Sequence, residues 1–588
     1  MVTNPPSIQD EERLRALIEK AALYNAYTHG GRAQVQAVVR RILAEEPQYR
    51  SRHKEVSDIA IVIVEAVNKL TPVEQRRMLE ERWPESLTER ERRPEERPLP
   101  PLPNAGRYSV IVTRFSPNPD CVLHMGSARA IVLSYEYAEE YKGKFYLRFE
   151  DTDPRLKRPK LEFYEGIRED LRWLGCRWSG EFIQSQRLEI YYDYVKKLLE
   201  MEKAYVCVCE PQKFHRLVVA GRACPCRILS GGENLERWDK MLKGEYAEGK
   251  AVVRVKTDLQ HPNPAVRDWP AMRIIDTRKT PHPITADSFR VWPLYNLSCG
   301  LDDHLLEVTH IIRGKEHLTN EVRQRFLYEH FGWEYPETIH YGRLKITGAS
   351  LSKSEIKRGV ESGAYSGYDD PRLATFAALR RRGIQPDAIR RMILEIGVKP
   401  VDITLSWETL YTYNRRIIDP SAPRYFFVEN PTPLRVKGIG RPYSVGLHLH
   451  PDHPEWGFRE FQLHPEGEIL TLNIAGNDMG LLKRKTVVRL MGLFNVEVTD
   501  LKEGAVEAVY HSESYEEAKK LGAPLIHFLP SGTGIETEVV MPDATIRRGL
   551  AEEACRELRV GQVLQFERFG FVRVDKLNGK ITVYFTHK

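Results

Sequence analysis

The sequence predicts a multidomain protein with an N-terminal helical domain, a central α/β domain and a C-terminal β region. Three observations predict this organisation. The chain has 588 residues, enough for about three to five domains. Its apolar pattern changes from helical periods to alternating strands and helices, and then to short strands alone. A segment rich in Pro, Glu and Arg separates the first two regions.

Residues 1–85 are predicted to form the helical domain. Apolar residues recur there at helical spacing, as at Leu14, Leu17, Ile18 and Ala21. The segment Thr71-Pro72-Val73-Glu74 has the form of a capping box with proline at the first helical position, which predicts the start of another helix. Residues 86–106 have no apolar period and are predicted to be a linker.

The middle of the chain reads as α/β. Residues 108–115 are a strand candidate that ends in a proline-broken loop, and a helix pattern begins near Gly126. Strands and helices alternate to about residue 350, which is typical of a mostly parallel sheet with crossover helices. Residues 371–400 return to a helical pattern and include the basic run Arg380-Arg381-Arg382.

After about residue 415 the chain carries short apolar runs between turn residues. Runs of this length and spacing suggest barrels or sandwiches. The strand candidates are residues 424–428, 486–491, 496–499, 525–529 and 572–574.

Composition narrows the classes of function. The longest apolar run, residues 59–67, is too short to span a bilayer, which takes about 20 residues. The first residues show no apolar stretch of the kind that a secretory signal needs, so we expect a cytoplasmic protein with no membrane partner. The net charge of +6 suits a partner that carries phosphates but does not require one.

Four of the eight cysteines crowd together in the sequence: Cys207, Cys209, Cys224 and Cys226. In a cytosolic chain such a cluster favours a metal over disulfides. Four thiolates suit tetrahedral zinc. The alternative is four partly buried cysteines with no metal.

Two segments carry the chemistry. The first, RFSPNPDCVLHMGS (residues 114–127), runs from a strand into a loop and a helix start, which offers backbone N–H groups to an anion. Gly126 lets a ligand approach the backbone, and His124 is placed to donate to a phosphate. An ordinary strand-to-helix turn with an exposed histidine is the alternative. The second, KITGASLSKS (residues 345–354), places a lysine among hydroxyl residues, although such loops are mostly solvated surface.

Together and in this order, the two segments resemble the ATP-binding signatures of class I aminoacyl-tRNA synthetases. The sequence between them resembles glutamyl-tRNA synthetases of the archaeal and eukaryotic type. The segments that carry this resemblance are RFEDTDP (148–154), EDLRWLG (169–175), QSQRLEIY (184–191), VWPLYN (291–296), DDHLLEVTHIIRGKEH (302–317) and HYGRLKI (340–346). It extends from about residue 107 into the C-terminal β region, and the N-terminal helices also look like those of archaeal members.

The resemblance implies a division of the chain. Residues 107–200 and 291–365 would form the two halves of a Rossmann-type catalytic domain, the second of which carries the SLSKS loop. Residues 201–290 would form an inserted subdomain that binds the tRNA acceptor end and contains the cysteine cluster. Residues 366–415 would be a helical stem-contact domain, and residues 416–588 would form β-barrels that bind the anticodon.

The resemblance also implies the reaction, in which ATP activates L-glutamate to glutamyl-adenylate and the glutamate is transferred to the terminal adenosine of tRNA(Glu). Magnesium is expected with the ATP. We assign the phosphate and transition-state contacts to His124, Gly126 and Lys353, with Ser127 and Ser352 as further ATP-binding residues. Both steps need alignment and stabilisation of negative charge.

A pocket for glutamate must hold two carboxylates and one ammonium group. Arg114 and Arg313 are assigned to the carboxylates, because a guanidinium group can bind a carboxylate through paired hydrogen bonds. Glu150 is assigned to the ammonium group. The resemblance implies that these three residues bind the amino acid, with Ser116 and Tyr295 as further residues of the pocket wall. The alternative reading is ion pairing at the end of a sheet.

Two departures from the family pattern stand in the signatures. Ser127 occupies the place of a second histidine, and Ser350 replaces the first lysine of the second signature. They motivate one alternative function, a tRNA-binding paralogue or scaffold that has lost catalysis. The other alternative is a glutaminyl-tRNA synthetase. Such enzymes typically carry DDTN where this chain has Glu150-Asp151-Thr152-Asp153, which favours glutamate.

The sequence leaves the choice of tRNA open. Archaeal organisms commonly charge tRNA(Gln) with glutamate and then amidate the product, so a tRNA-dependent amidotransferase is a candidate partner. An enzyme that serves this route must accept tRNA(Glu) and tRNA(Gln). The oligomeric state is also open.

Overall fold

The computed structural model describes residues 8–28, 31–83, 99–502 and 504–588. The chain divides into two compact units, Met1–Pro98 and Leu99–Lys588. Residues 86–98 of the predicted linker lie outside the described residues. Among the helices that the structure describes, none has the length and apolar character to cross a membrane.

The first unit is helical, as predicted. Its helices are Ile8–Thr28, Val35–Glu45, His53–Val67 and Pro72–Arg82. Leu14, Ile18 and Ala21 are buried in its core. The predicted capping box is present: the Thr71 N–H donates to Glu74 Oε2 at 2.8 Å, and the Glu74 N–H donates to Thr71 Oγ1 at 3.3 Å. This reciprocal pair fixes the start of the fourth helix.

The second unit is built on five parallel strands, which we call the central sheet. In spatial order they are Gly180–Ile183, Lys144–Phe149, Val112–Phe115, His310–Gly314 and Glu337–Tyr341. The first three of these strands pair with one another, as do the last two, and Thr309 joins the two sets. Its N–H donates to Val112 O at 3.0 Å, and its hydroxyl accepts from the Val112 N–H at 2.9 Å. The direction in which successive strands are added reverses between Val112–Phe115 and His310–Gly314. Ligands commonly bind at such a switch point.

Helices pack against the central sheet as crossover connections. They are Met125–Glu140, Leu161–Trp173, Tyr295–Leu305 and Leu318–Phe331. Helix Leu188–Glu200 follows the strand Gly180–Ile183 and packs instead in the core of the inserted sheet described below. The strand predicted for residues 108–115 begins only at Val112, since Val110 is 42% exposed and lies outside the sheet. Leu99 and Leu102, within the predicted linker, are buried against the core, and Leu102 N–H donates to Tyr141 Oη at 3.0 Å.

An antiparallel sheet, which we call the inserted sheet, interrupts the central one. Its strands are Ala204–Cys207, Val252–Val255, Pro270–Ile274 and Val291–Pro293. Helices Pro211–Val219 and Gly231–Lys243 pack beside it. It has its own core, to which Trp238, Trp269 and Trp292 belong.

After the central sheet the chain becomes mainly helical. Strands Leu344–Ile346 and Ile403–Leu405 pair in parallel, and the helices are Lys353–Glu361, Phe376–Arg381, Pro386–Ile396 and Trp407–Ile418. The helical pattern predicted for residues 371–400 is divided into two helices. Gly383 ends the first in the left-handed region, with φ of 89°, and Pro386 begins the next.

Two closed barrels form the C-terminal part. The first contains Thr432–Lys437, Ile469–Ile474, Val487–Leu490, Asn495–Lys502 and Ala505–Ser512. The second contains Ile535–Val540, Ile546–Ala551, Val563–Phe566, Gly570–Leu577 and Ile581–His587. A separate hairpin, Tyr443–His448 with Phe458–Leu463, and a short helix, Tyr515–Lys520, accompany the first barrel. The prediction of barrels is confirmed. The individual domain limits predicted from the sequence stay predictions.

Each barrel is closed by a split strand. Arg424–Tyr425 and Phe427–Glu429 pair with opposite edges of the second barrel, and only Phe426 separates them. Leu525–Ile526 and Phe528–Pro530 close the first barrel in the same way. The strand that precedes the first barrel in sequence therefore closes the second, and the strand that precedes the second closes the first. The two barrels exchange equivalent strands, so neither is complete without the other.

This exchange predicts that the first barrel depends on residues 525–530. We expect a chain that ends at Ser531 to keep slow amide hydrogen exchange in residues 432–512, because its first barrel can still close. A chain that ends at Ala523 should lose that protection, because an edge with unpaired N–H and C=O groups remains. Both shortened chains lack the second barrel, which makes them matched. Equal protection in the two would contradict the dependence.

Candidate active site

A cavity of about 660 Å³ opens at the carboxyl ends of the central strands, beside the switch point. The five residues predicted to bind glutamate all line it: Arg114, Ser116, Glu150, Tyr295 and Arg313. Arg114 lies near the end of strand Val112–Phe115 and Arg313 near the end of strand His310–Gly314. Glu150 directly follows strand Lys144–Phe149. The parallel order of the strands thus brings side chains from distant parts of the sequence to one edge.

A buried ion network lies under this cavity. Arg114 donates to both Asp303 oxygens, at 3.1 and 3.2 Å, and Arg148 donates to Asp303 Oδ1 at 2.7 Å. Arg148 also donates to Glu150 Oε1 at 3.1 Å. Burial alone would raise the pKa of Asp303, but the two guanidinium groups hold it well below its ordinary value. Burial raises the pKa of Glu150, and Arg148 and Arg114 oppose that rise.

Arg313 differs from Arg114 in its partners. Its Nη1 donates to Gln324 Oε1 at 3.1 Å and its Nη2 to Tyr335 Oη at 3.0 Å, both neutral groups. Its Nε is buried without a hydrogen-bond partner, and among the described residues no carboxylate pairs with it. A buried guanidinium with no counter-charge on the wall of a cavity favours an anionic ligand.

Other polar atoms of the cavity wall are also buried without partners. They are Ser116 Oγ, Asn118 Oδ1, Arg273 Nε and Asn296 Oδ1. Buried polar atoms are normally hydrogen-bonded, so such atoms on a cavity wall are expected to bind the ligand. The sequence analysis did not assign Asn118 or Asn296. Asn118 lies two residues after the assigned Ser116, and Asn296 directly follows the assigned Tyr295.

The first signature forms the N-terminus of helix Met125–Glu140, and His124 is its N-cap. The Gly126 N–H donates to His124 Nδ1 at 3.0 Å. Because Nδ1 accepts, the proton of a neutral ring lies on Nε2, which can donate to a ligand. Burial and the charge of Lys353 lower the pKa of His124 to about 4, so the ring is neutral at pH 7.

The position of the His124 ring requires glycine at position 126. A Cβ atom at position 126 would lie 2.7 Å from His124 Cε1 and 2.9 Å from Nδ1. The Ser127 N–H donates to the His124 carbonyl at 2.8 Å, as part of the first helical turn. The loop from strand to helix is therefore compact, with the imidazole folded over the glycine.

The second signature reaches the first through Lys353. Its Nζ donates to Asn118 O at 3.1 Å and lies 3.3 Å from Asp120 Oδ1. Ser352 is the N-cap of helix Lys353–Glu361, and Ser350 donates to the carboxylate of Glu355. Ser350, at the position of the first lysine in the signature that this segment resembles, therefore stabilises the loop through Glu355.

The four clustered cysteines lie on the inserted sheet and its adjoining turn, outside the lining of the cavity. All four Sγ atoms lie within 4.8 Å of one another. The Sγ atoms of Cys207 and Cys224 are 3.9 Å apart, and those of Cys209 and Cys226 are 3.7 Å apart. Arg237 Nη1 donates to Cys226 Sγ at 3.2 Å.

Asp303 and Arg148 form the ion network under the cavity, and the sequence analysis did not assign them. Arg148 had a detectable signal, because it interrupts the apolar residues at 145–149. Asp303 had none of its own, since its two partners lie more than 150 residues away in the sequence.

Family profiles match most of the second unit. The catalytic domain of the class I tRNA synthetases (E and Q) matches residues 110–420. Two profiles for the anti-codon binding domain of the same synthetases match residues 422–513 and 525–575, which cover most of the two barrels.

Relatives match nearly the whole chain. The glutamate–tRNA ligase of Thermococcus kodakarensis is 50% identical over 579 residues, which are 98% of this chain and 100% of that protein. That of Pyrococcus furiosus is 50% identical over 575 residues, 97% of this chain and 99% of that protein. That of Methanopyrus kandleri is 46% identical over 580 residues, 98% and 100%. With these relatives and a matching catalytic domain, the chain belongs to the class I tRNA synthetases specific for glutamate and glutamine.

Proposed function

We propose that this chain is a glutamate–tRNA ligase, which activates L-glutamate with ATP and transfers it to the terminal adenosine of tRNA(Glu). The observation that carries the choice of amino acid is Arg313, a buried guanidinium on the cavity wall with no carboxylate partner among the described residues. The names of the relatives, over nearly the whole chain, support the same choice.

Glutamate fits the charges of the cavity. Arg313 takes one carboxylate, Arg114 lies beside it, and Glu150 takes the ammonium group. The amide of glutamine would leave the Arg313 charge without a counter-charge, and an unpaired buried charge of this kind costs about 2–5 kcal/mol. Ser116 and Asn296 supply hydrogen-bonding groups that have no protein partner.

In the first step an oxygen of the glutamate α-carboxylate attacks the α-phosphorus of ATP. The bond to the bridging oxygen breaks, and pyrophosphate leaves with the electron pair. Negative charge grows on the phosphates, and His124 Nε2, the positive end of the dipole of helix Met125–Glu140 and Lys353 are placed to stabilise it. Magnesium comes with ATP and is held mainly by phosphates and water.

In the second step a ribose hydroxyl of the terminal adenosine attacks the carbonyl carbon of the mixed anhydride. AMP leaves with the electron pair, and the hydroxyl proton passes to the released phosphate or to water. The protein's part in this step is alignment, since the substrates carry the reacting groups themselves. Asp120 and Asn118, which hold Lys353 beside the first signature, contribute to that alignment.

We also assign structural zinc to Cys207, Cys209, Cys224 and Cys226. With Zn–S bonds of about 2.3 Å, tetrahedral geometry separates the sulfurs by about 3.8 Å. The two measured separations are 3.9 and 3.7 Å. A bound ion would tie the end of strand Ala204–Cys207 to the turn that carries Cys226. The donation from Arg237 would orient that ligand.

The remaining assignments are part of the proposal and follow from family membership. Residues 201–290 bind the acceptor end, residues 366–415 contact the stem and residues 416–588 bind the anticodon, in a cytoplasmic enzyme. The geometry of the cavity is equally suited to an enzyme that charges tRNA(Gln) with glutamate for a later amidotransferase, so tRNA selection is decided by experiment.

Replacing Arg313 by Gln should raise the glutamate KM about 30-fold or more, because the buried counter-charge of the substrate is lost. The ATP KM should change less than twofold. Arg172→Gln is the control, since Arg172 is half exposed, pairs with Glu165 and lies outside the lining of the cavity. Steady-state charging at varied glutamate measures both. An unchanged glutamate KM in the Arg313 variant would refute its assignment.

The zinc assignment predicts about one zinc ion per chain in the purified protein, measured by mass spectrometry of the metal. Cys226→Ser should lose it and should raise the tRNA KM more than the ATP KM, because the four cysteines lie outside the lining of the cavity. Cys555→Ser, a buried cysteine in the second barrel, should keep the zinc. Protein that refolds with full activity in a metal chelator would contradict the assignment.

The test of the proposed function is charging of purified tRNA(Glu) and tRNA(Gln) with labelled glutamate and, separately, labelled glutamine. We expect glutamate on tRNA(Glu), with tRNA present from the start of the assay. Glutamate on both tRNAs would identify an enzyme that serves the amidation route. Glutamine attachment would favour the glutaminyl enzyme, and tight tRNA binding without charging would favour the scaffold.

A further inference from the structure

The run Arg380-Arg381-Arg382 has no part in the reaction described above. By sequence alone, three consecutive arginines suggest a surface for RNA phosphates. In the structure Arg382 is 1% exposed, and the side chains of Arg380 and Arg381 are 37% and 24% exposed. All three are bound to other parts of the protein, so we asked what they connect.

The helix that carries the run, Phe376–Arg381, begins against the first signature. His124 and Thr375 form an antiparallel bridge. The Met125 N–H donates to Ala374 O at 2.9 Å, and the Phe376 N–H donates to Leu123 O at 3.3 Å. The backbone on both sides of His124 is thus held by the residues that start this helix.

Arg380 reaches the same loop from the side. It lies 3.9 Å from Asp170 Oδ1, and Asp170 accepts a hydrogen bond from the Leu123 backbone N–H. Asp170 is 4% exposed, so this contact is shielded from solvent. The residue just before His124 is therefore held by a carboxylate whose nearest cation belongs to the arginine run.

The other two arginines bind the second barrel. Arg381 donates to both Asp575 oxygens, at 3.0 and 2.9 Å, and stacks on Tyr584 with its guanidinium 4.4 Å from the ring centre. Arg382 donates to Thr586 O at 3.1 Å, and Thr586 Oγ1 donates back to Arg382 O at 2.5 Å. Asp575, Tyr584 and Thr586 lie on two adjacent strands of that barrel.

We propose that helix Phe376–Arg381 is a rigid joint through which tRNA bound at the barrels sets the position of His124, with Arg381 and Asp575 as positioning residues. The helix is about 9 Å long, with one end on the signature loop and the other on the barrel. The second barrel matches an anti-codon binding profile. A displacement of that barrel by bound tRNA would therefore be transmitted to the loop that receives ATP. This inference rests on the proposed function.

The test compares two RNAs, a tRNA(Glu) transcript and the same transcript with its three anticodon bases replaced. With Asp575→Asn, which breaks the paired contact to Arg381, we expect kcat on the tRNA(Glu) transcript to fall about tenfold. The ATP KM should rise on that transcript as well. On the altered transcript, Asp575→Asn and the unchanged protein should have the same kcat, because neither receives the anticodon signal. Asp575→Glu, which can still pair, should restore most of the difference.

Glu55→Gln is the matched control. Glu55 forms an equally close paired contact, to Arg52 at 2.8 and 2.6 Å, within the first compact unit, which contains no part of the joint. It should leave kcat on the tRNA(Glu) transcript unchanged. Arg381→Lys, which keeps the charge and loses the paired contact, provides a second test of the joint. Circular dichroism and the unfolding temperature show that each variant is folded.

Three results would overturn the inference. One is an unchanged kcat for both Asp575→Asn and Arg381→Lys. Another is an equal fall on both RNAs, which would indicate simple support of the site. The third is a rise confined to the tRNA KM, which would indicate a role in binding alone. Failure of the proposed function is distinguishable, since the unchanged protein would then attach no glutamate to either RNA.

Discussion

The carboxylate of Asp303 neutralises two guanidinium groups, Arg114 and Arg148, that lie buried beneath the cavity. A buried charge without a partner is strongly destabilising. The contact therefore stabilises the packing of helix Tyr295–Leu305 against the central strands. Through Arg148 the same network orients Glu150. Arg313 donates to the neutral groups of Gln324 and Tyr335, so its charge can pair with a substrate carboxylate.

The residues proposed to bind ATP are also held in place by contacts within the protein. His124 is a neutral donor because its Nδ1 accepts from the Gly126 N–H, and the absence of a Cβ at position 126 leaves room for the ring. Lys353 is held against the first signature by Asn118 and Asp120. Ser350, which replaces a family lysine, binds Glu355 and stabilises the loop. This loss of one positive charge thus leaves an ordered loop, and a second lysine is not needed to hold Lys353 in place.

Much of this could be predicted from the sequence, because the signature segments and the ends of parallel strands are local features. Arg114, Glu150 and Arg313 reach the cavity since each lies at or beside the end of a strand. Asp303 could not be predicted, since its role depends on partners brought together by the fold. The strand exchange was equally hidden, because residues 424–429 and 525–530 are short apolar runs with no sign of which barrel they would close. The contacts of the arginine run were hidden as well, since Asp575 lies 194 residues from Arg381 and Thr586 lies 204 residues from Arg382 in the sequence.

The strand exchange bears on how a signal would pass through the barrels. Each barrel is closed by a split strand that lies next to the other barrel in the sequence. The two barrels are therefore joined at Phe426 and at His527, the residues at which these strands are split. His527 Nε2 contacts Phe427 O at 2.7 Å, which places the two crossing points side by side. Independent movement of one barrel would break the closure of both. A contact with tRNA on either barrel is therefore expected to displace the pair as one body, and that body is bound to helix Phe376–Arg381 through Asp575 and Thr586.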